Sequence, residues 1–204
     1  MKPQELIRLM KTAENLKNNT RHSWTSTGRH ESVAEHSFRL CFMALFLKDE
    51  FPDADMDKVI RMCIVHDIGE AFTGDIPAFE KTGEDEKKEE DVVKRFTESL
   101  PEPYKAEFGE LFEEMNALES TEAKIYKALD KMEAVIQHNE ADISTWLPLE
   151  YELQINYGEK EVAFSPYMRE LKMAANEETK RKIEDEGRNE DTHVKACGQE
   201  QQPI

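Results

Sequence analysis

The stretch from Met56 to Val65 constrains the fold of this chain more than any other. Its apolar residues Met56, Val59, Ile60, Met62, Cys63, Ile64 and Val65 fall on most sides of a helix. A helix that is apolar nearly all round must be covered by other elements, so it sits at the centre of the fold. It leads directly into His66-Asp67 and then Ile68-Gly69-Glu70. A buried imidazole and carboxylate without partners cost several kcal/mol, and a divalent metal is the most economical partner for both.

The rest of the chain reads as helix around that centre. Leu6, Leu9, Met10, Ala13 and Leu16 have helical spacing within residues 5–17. Residues 18–31 are polar and irregular and read as a loop. Ser32-Val33-Ala34-Glu35 has the capping-box pattern and opens a helix expected to reach about Phe51, with His36 in its first turn. The central helix is expected over about 55–72, broken by Gly74-Asp75-Ile76-Pro77. The charge run from Gly83 to Asp91 contains the i,i+4 pairs Glu84–Lys88, Glu90–Lys94 and Asp91–Arg95, and reads as a solvated helix face. Helices are expected over 86–99, 103–117, 120–139, 147–157 and 166–186. No strand pair stands out. The expectation is one all-α domain over residues 1–187, followed by a polar C-terminal tail, 188–204, that is mobile.

Composition narrows the function. The 204 residues carry 27 Lys and Arg against 44 Asp and Glu, a formal charge of -17. That argues against a nucleic-acid polymer or an anionic membrane as partner. It leaves room for a small anion, because a metal and an arginine can reverse the local sign. The N-terminus lacks the apolar region of a signal peptide, and Leu40 to Leu47 is too short to span a bilayer. Three cysteines without a framework fit a reducing cytoplasm.

Several motifs fail on spacing. His30-Glu31 and His36 do not have the four-residue step of a zincin helix. Asp53-x-Asp55-x-Asp57 starts like an EF-hand loop, but Lys58 and Ile64 stand where Gly and Glu are needed. No G-x-S-x-G elbow, P-loop or G-x-G-x-x-G occurs. The residues left over are His36, His66, Asp67 and Asp130. Such an N2O2 set leaves open positions on an octahedral ion for water and a phosphate oxygen. Neighbouring ligands on a helix diverge by about 100°, so His66 and Asp67 share an ion only near a helix end. Each residue also has an ordinary reading, with His36 as a capped surface histidine and Asp130 as a surface acid.

The strings Glu31-Ser32-Val33-Ala34-Glu35-His36-Ser37 and His66-Asp67-Ile68-Gly69-Glu70-Ala71-Phe72-Thr73-Gly74-Asp75-Ile76-Pro77 resemble the HD-domain phosphohydrolases. Within them the chain is similar to the 5'-deoxynucleotidase branch, the YfbR-like and HD-domain-containing-2 proteins. The resemblance implies an all-helical, dimeric, metal-dependent enzyme that removes phosphate from deoxyribonucleoside 5'-monophosphates. It implies that His36, His66, Asp67 and Asp130 hold one divalent ion, Mn, Co or Mg ahead of Fe or Zn. Glu70 matches the catalytic glutamate and Asp75 the aspartate that contacts the sugar. Arg21 matches the phosphate-holding arginine and Trp24 the tryptophan that shapes the sugar pocket, although His22 and Ser23 separate them. Arg29 competes for the phosphate role, and His30 is a candidate supporting group. Two alternatives stay open: hydrolysis of another nucleotide phosphoester, such as a triphosphate or a cyclic nucleotide, and a metal-bound nucleotide sensor without turnover.

Overall fold

A computed structural model describes residues 1–197, and the side chains of residues 1–187. The described residues form α1 (Pro3–Asn18), β1 (Thr20–Trp24), β2 (His30–Ser32), α2 (Val33–Leu45), α3 (Met56–Val65), α4 (Glu70–Thr73), α5 (Gly83–Glu98), α6 (Tyr104–Ala117), α7 (Thr121–Glu140), α8 (Glu150–Asn156), α9 (Glu159–Val162) and α10 (Pro166–Cys197). The all-α class holds, with one small hairpin added.

The centre is a packed trio of α2, α3 and α7. Leu40 from α2, Val59, Met62 and Cys63 from α3, and Ile125, Leu129 and Met132 from α7 are fully buried. Each large side chain of this kind contributes about 1.5–3 kcal/mol through burial. The core therefore fixes the relative rotation of the three helices that carry the histidines and aspartates. No helix of the described residues is long and apolar enough to cross a membrane.

Local sequence sets the helix ends that matter. Ser32 caps α2: its side chain accepts from the Glu35 backbone N–H at 3.3 Å, and the Glu35 carboxylate accepts from the Ser32 backbone N–H at 2.9 Å. A cap of this kind contributes about 1 kcal/mol and places His36 one turn into the helix, pointing inward. α3 stops at Val65 instead of running on to about Phe72. Residues 66–69 form turns before α4 begins. Gly69 packs tightly against α5, and a Cβ there would stand 2.6 Å from Glu89 Cγ. Gly74 then ends α4 with φ +77, a conformation glycine adopts without strain.

Three further expectations are corrected. Residues 18–31 are not a plain loop: β1 and β2 pair antiparallel, with Thr20 opposite Ser32 and Trp24 opposite His30. The strands are only five and three residues long and mostly polar, so alternation was too short to read. α2 ends at Leu45, short of Phe51. The C-terminal helix continues to Cys197, through the first part of the polar stretch expected to be a tail. Charge pairs at i,i+4, such as Glu178–Lys182 and Lys180–Glu184, support helix without an apolar stripe. Residues 198–204 lie outside the described residues.

Candidate metal centre and phosphate pocket

Two imidazoles meet where α2 passes the end of α3. The His36 and His66 ring centroids lie 5.2 Å apart. In each ring one nitrogen is anchored away from the centre. His36 Nδ1 lies 2.5 Å from Glu133 Oε2, and His66 Nδ1 donates to the Cys63 carbonyl at 2.9 Å. Both Nε2 atoms therefore face the same space. A metal-ligating histidine is held in this way, with the far nitrogen on a carbonyl or carboxylate.

Two carboxylates close the centre. Asp67 Oδ2 stands 3.0 Å from His66 Nε2 and 3.9 Å from His36 Nε2. Asp130 Oδ1 stands 3.3 Å from His36 Nε2 and 3.9 Å from His66 Nε2. Because α3 has already ended, the backbone turns between His66 and Asp67, and two adjacent residues address one point. His66 Nε2 and Asp67 Oδ2 are buried and lack an aligned hydrogen bond despite their 3.0 Å separation. Unpaired buried atoms are costly, and a cation between them satisfies both. The donor set and its orphaned atoms fit a divalent metal.

Electrostatics supports that fit. Burial works against ionisation of Asp67, but His66, His36 and Arg21 hold its carboxyl well below the ordinary range. Burial likewise opposes ionisation of Asp130, and Lys131, Lys127 and the His36 hydrogen bond hold it down. Two carboxylates thus stay charged in a buried site. Burial and Arg21 push His36 down, but bonds to Asp130 and Glu133 prevail and raise it to about 9. A cation therefore has to displace a proton there.

Above this centre opens a pocket. Its lining includes Arg21, Asp67, Glu70, Asp75, Lys81, Lys127, Asp130 and Lys131. Four cations, Arg21, Lys81, Lys127 and Lys131, share the cleft with five carboxylates, Asp67, Glu70, Asp75, Asp130 and Glu150, so a divalent ion held there would supply the excess positive charge that an anion needs. Strand β1 delivers Arg21, whose Nη1 is 3.6 Å from Asp67 Oδ2 and 4.0 Å from Asp75 Oδ1. Glu70 is buried, and its Oε2 has no hydrogen-bond partner. Burial, then the neighbouring Asp67 and Asp75, push its carboxyl far above the ordinary range.

The sequence reading missed two cations. Lys127 and Lys131 place Nζ at 3.0 and 3.1 Å from Asp130 Oδ2. The signal was present: both belong to a lysine stripe at i,i+4 spacing that flanks Asp130, which reads most simply as solvated surface. Trp24 does not line the pocket. It sits at the far end of β1 with its ring on His30, centroids 3.9 Å apart, and its carbonyl accepts from Gln137 Nε2 at 2.7 Å. His22, edge-on to Phe79 at 5.4 Å, occupies the pocket wall instead. Arg29 is exposed and paired with Glu35 through two bonds, at 2.5 and 2.9 Å, so Arg21 is the arginine that faces the centre. His30 also stays outside, with Nδ1 on the Arg21 carbonyl.

Helices α2, α3 and α7 bring an H…HD…D set of candidate donors to their junction, the arrangement of a helical phosphohydrolase. Comparison with known proteins agrees. The family model described as HD domain matches residues 13–172. The chain is 34% identical over 141 residues to human 5'-deoxynucleotidase HDDC2, covering 67% of this chain and 68% of that protein. It is 27% identical to 5'-deoxynucleotidase hdd1 of Schizosaccharomyces pombe, covering 79% of each. Among solved structures, a predicted metal-dependent phosphohydrolase from Magnetospirillum magnetotacticum superposes with a TM-score of 0.71 at 26% identity, over 87% of this chain and 93% of that one. The chain belongs to the HD-domain family.

Proposed function

We propose that this protein is a 5'-deoxynucleotidase, hydrolysing deoxyribonucleoside 5'-monophosphates to nucleoside and phosphate with one divalent ion in the HD centre. The observation that carries the reading is the convergence of His36, His66, Asp67 and Asp130 at the foot of a pocket lined by Arg21, Lys127 and Lys131. The human and fission-yeast relatives, both named 5'-deoxynucleotidases, support it. Two imidazoles with two carboxylates and open positions favour Mn, Co or Mg, with Fe or Zn also accommodated.

Each residue has a physical task. His36, His66, Asp67 and Asp130 hold the ion, which when bound polarises a phosphate oxygen and lowers the pKa of water. Arg21 neutralises phosphate charge through its planar fork, and Lys127 and Lys131 add point charges from the other side. Glu70, desolvated beside the phosphate position, holds and moves the proton of the attacking water or the leaving 5'-oxygen. Asp75, near Arg21 and on the pocket wall, accepts from the sugar hydroxyl. Trp24 is no longer assigned to the sugar pocket, because its ring lies on His30.

The test is phosphate release from a panel of 2'-deoxy- and ribonucleoside 5'-monophosphates with Mn, Co, Mg and Zn, each after chelator treatment. Release confined to deoxy substrates and dependent on added metal is expected. Release of pyrophosphate or triphosphate from nucleoside triphosphates instead would replace the monophosphatase reading. Substrate binding with no product under any metal would make the protein a sensor.

We also infer a homodimer in a reducing cytoplasm. Phe38, Phe42 and Phe46 form an exposed aromatic stripe on and just beyond α2, with consecutive ring centroids 6.2 and 5.1 Å apart. Three adjacent exposed phenylalanines are costly in water and suit a protein contact. Sedimentation equilibrium should give twice the 23.7 kDa chain mass, and Phe42→Asp should return it to one chain. Cys41 and Cys63 are free thiols, in keeping with that compartment.

A further inference from the structure

A second cluster of metal-binding side chains lines the same pocket at its far wall. His22 comes from β1, His138 from the last turn of α7, and Glu150 from the start of α8. Glu150 Oε1 stands 3.1 Å from His22 Nε2 and 3.0 Å from His138 Nε2. The carboxylate is buried, and its other oxygen, Oε2, already accepts from the Leu147 backbone N–H at 2.7 Å.

The three donor atoms lie within 4.8 Å of one another. Ligands about 2.1 Å from an ion stand about 3.0 Å apart at right angles and about 3.4 Å apart at the tetrahedral angle. The two nitrogen-to-oxygen distances, 3.1 and 3.0 Å, are close to the lower of these. A plain hydrogen-bonded His-Glu-His row would give similar lengths, so direction decides. His138 Nε2 is aligned with Glu150. His22 Nε2 is buried at 3.1 Å yet has no aligned hydrogen bond. His66 Nε2 in the HD centre has the same signature, close to a carboxylate oxygen but aimed past it.

The outer support also repeats. His138 Nδ1 faces the Ala134 carbonyl at 3.2 Å and Ser23 Oγ at 3.4 Å. Ring anchoring on a carbonyl is what orients a ligating imidazole. The cluster is separate from the HD centre: Asp130 and His138 are eight residues apart on α7, about 12 Å along its axis. Ions that share one phosphoryl group sit about 3.5–4 Å apart, so the two places are not halves of one two-metal site.

We propose that His22, His138 and Glu150 form a second divalent-metal site, independent of the HD centre. Two imidazoles and one carboxylate select a borderline ion such as Zn, Ni, Co or Fe over Mg. The ion ties the hairpin, α7 and α8 together across the pocket and leaves its open positions toward the cleft.

Zinc stoichiometry tests this. Chelator-stripped protein is loaded with Zn2+, desalted and measured by elemental analysis. Two ions per chain are expected for the parent, one for His138→Ala, one for Asp67→Ala and none for the double variant. The single variants separate failure of this site from failure of the HD centre without any activity assay. Should His138→Ala misfold, His22→Gln at the better-exposed ligand carries the test, again with one ion expected. A Co2+ titration of the parent gives a second readout, with two equivalents entering the visible spectrum and one in His22→Gln. One zinc in the parent that is lost in Asp67→Ala and kept in His138→Ala and His22→Gln, or two in both His138→Ala and His22→Gln, would overturn the proposal and leave a hydrogen-bonded row.

Discussion

Replacing Asp67 with alanine is expected to remove one equivalent of divalent metal per chain and to lower phosphate release at least on the order of 10^3-fold, equivalent to about 4 kcal/mol of transition-state stabilisation. Asp67 Oδ2 is the oxygen nearest His66 Nε2 and also approaches His36 Nε2, so its loss opens the centre on one side. The same variant has a thermal signature. An ion present at 100 times its Kd stabilises the folded state by about 2.7 kcal/mol. In a chain of this size that is roughly a 5–10 °C rise in Tm. The parent should show this increment on metal addition, and Asp67→Ala should lack the share due to the HD centre. The core is intact in the variant, because α2, α3 and α7 are held by Leu40, Met62, Leu129 and their neighbours rather than by the carboxylate. A variant that keeps full metal content and activity would remove Asp67 from the centre.

Glu70→Gln is expected to behave differently. Its shape is preserved, its burial is unchanged and it is not among the four donors that converge on the ion. Metal content should stay at the parent level while turnover falls about 10^2–10^4-fold, the range of a general acid–base group. The reason is local: Glu70 is a buried carboxyl pushed far upward by desolvation, Asp67 and Asp75, so it is poised to hold a proton beside the reacting phosphate. An amide has the same volume but exchanges no proton. The discriminating measurement is the pair of metal content and turnover rate on one preparation. Loss of metal would make Glu70 a ligand, and unchanged turnover would move the proton to another group.

Much of this arrangement is legible in the sequence. The apolar helix ending in His66-Asp67 named the centre of the fold and two of its donors. The Ser32 capping box placed His36 in the first turn of its helix. The elements missed were those whose local signal is weak. β1 and β2 are short and polar, and their pairing depends on the Thr25–Arg29 turn, with Gly28 at φ +81. The same hairpin decided the fate of the arginines and the tryptophan. It turns Arg21 into the pocket, leaves Arg29 outside and lays Trp24 on His30. Lys127 and Lys131 read as surface because helical spacing alone does not tell which polar stripe faces solvent and which faces a cleft.

The sequence by itself determined the fold class and the central helix, through periodicity and capping, which act over a few residues. The set of four candidate donors came from the resemblance of its two motif strings to the HD-domain phosphohydrolases. Only the tertiary structure decided how the donors meet. His36 and Asp130 are 94 residues apart in the chain and 3.3 Å apart in space. Bringing them together requires α2 and α7 to pack on α3, and that packing depends on side chains spread over the whole domain. The same holds for His22, His138 and Glu150, three residues from three elements whose convergence no local pattern encodes.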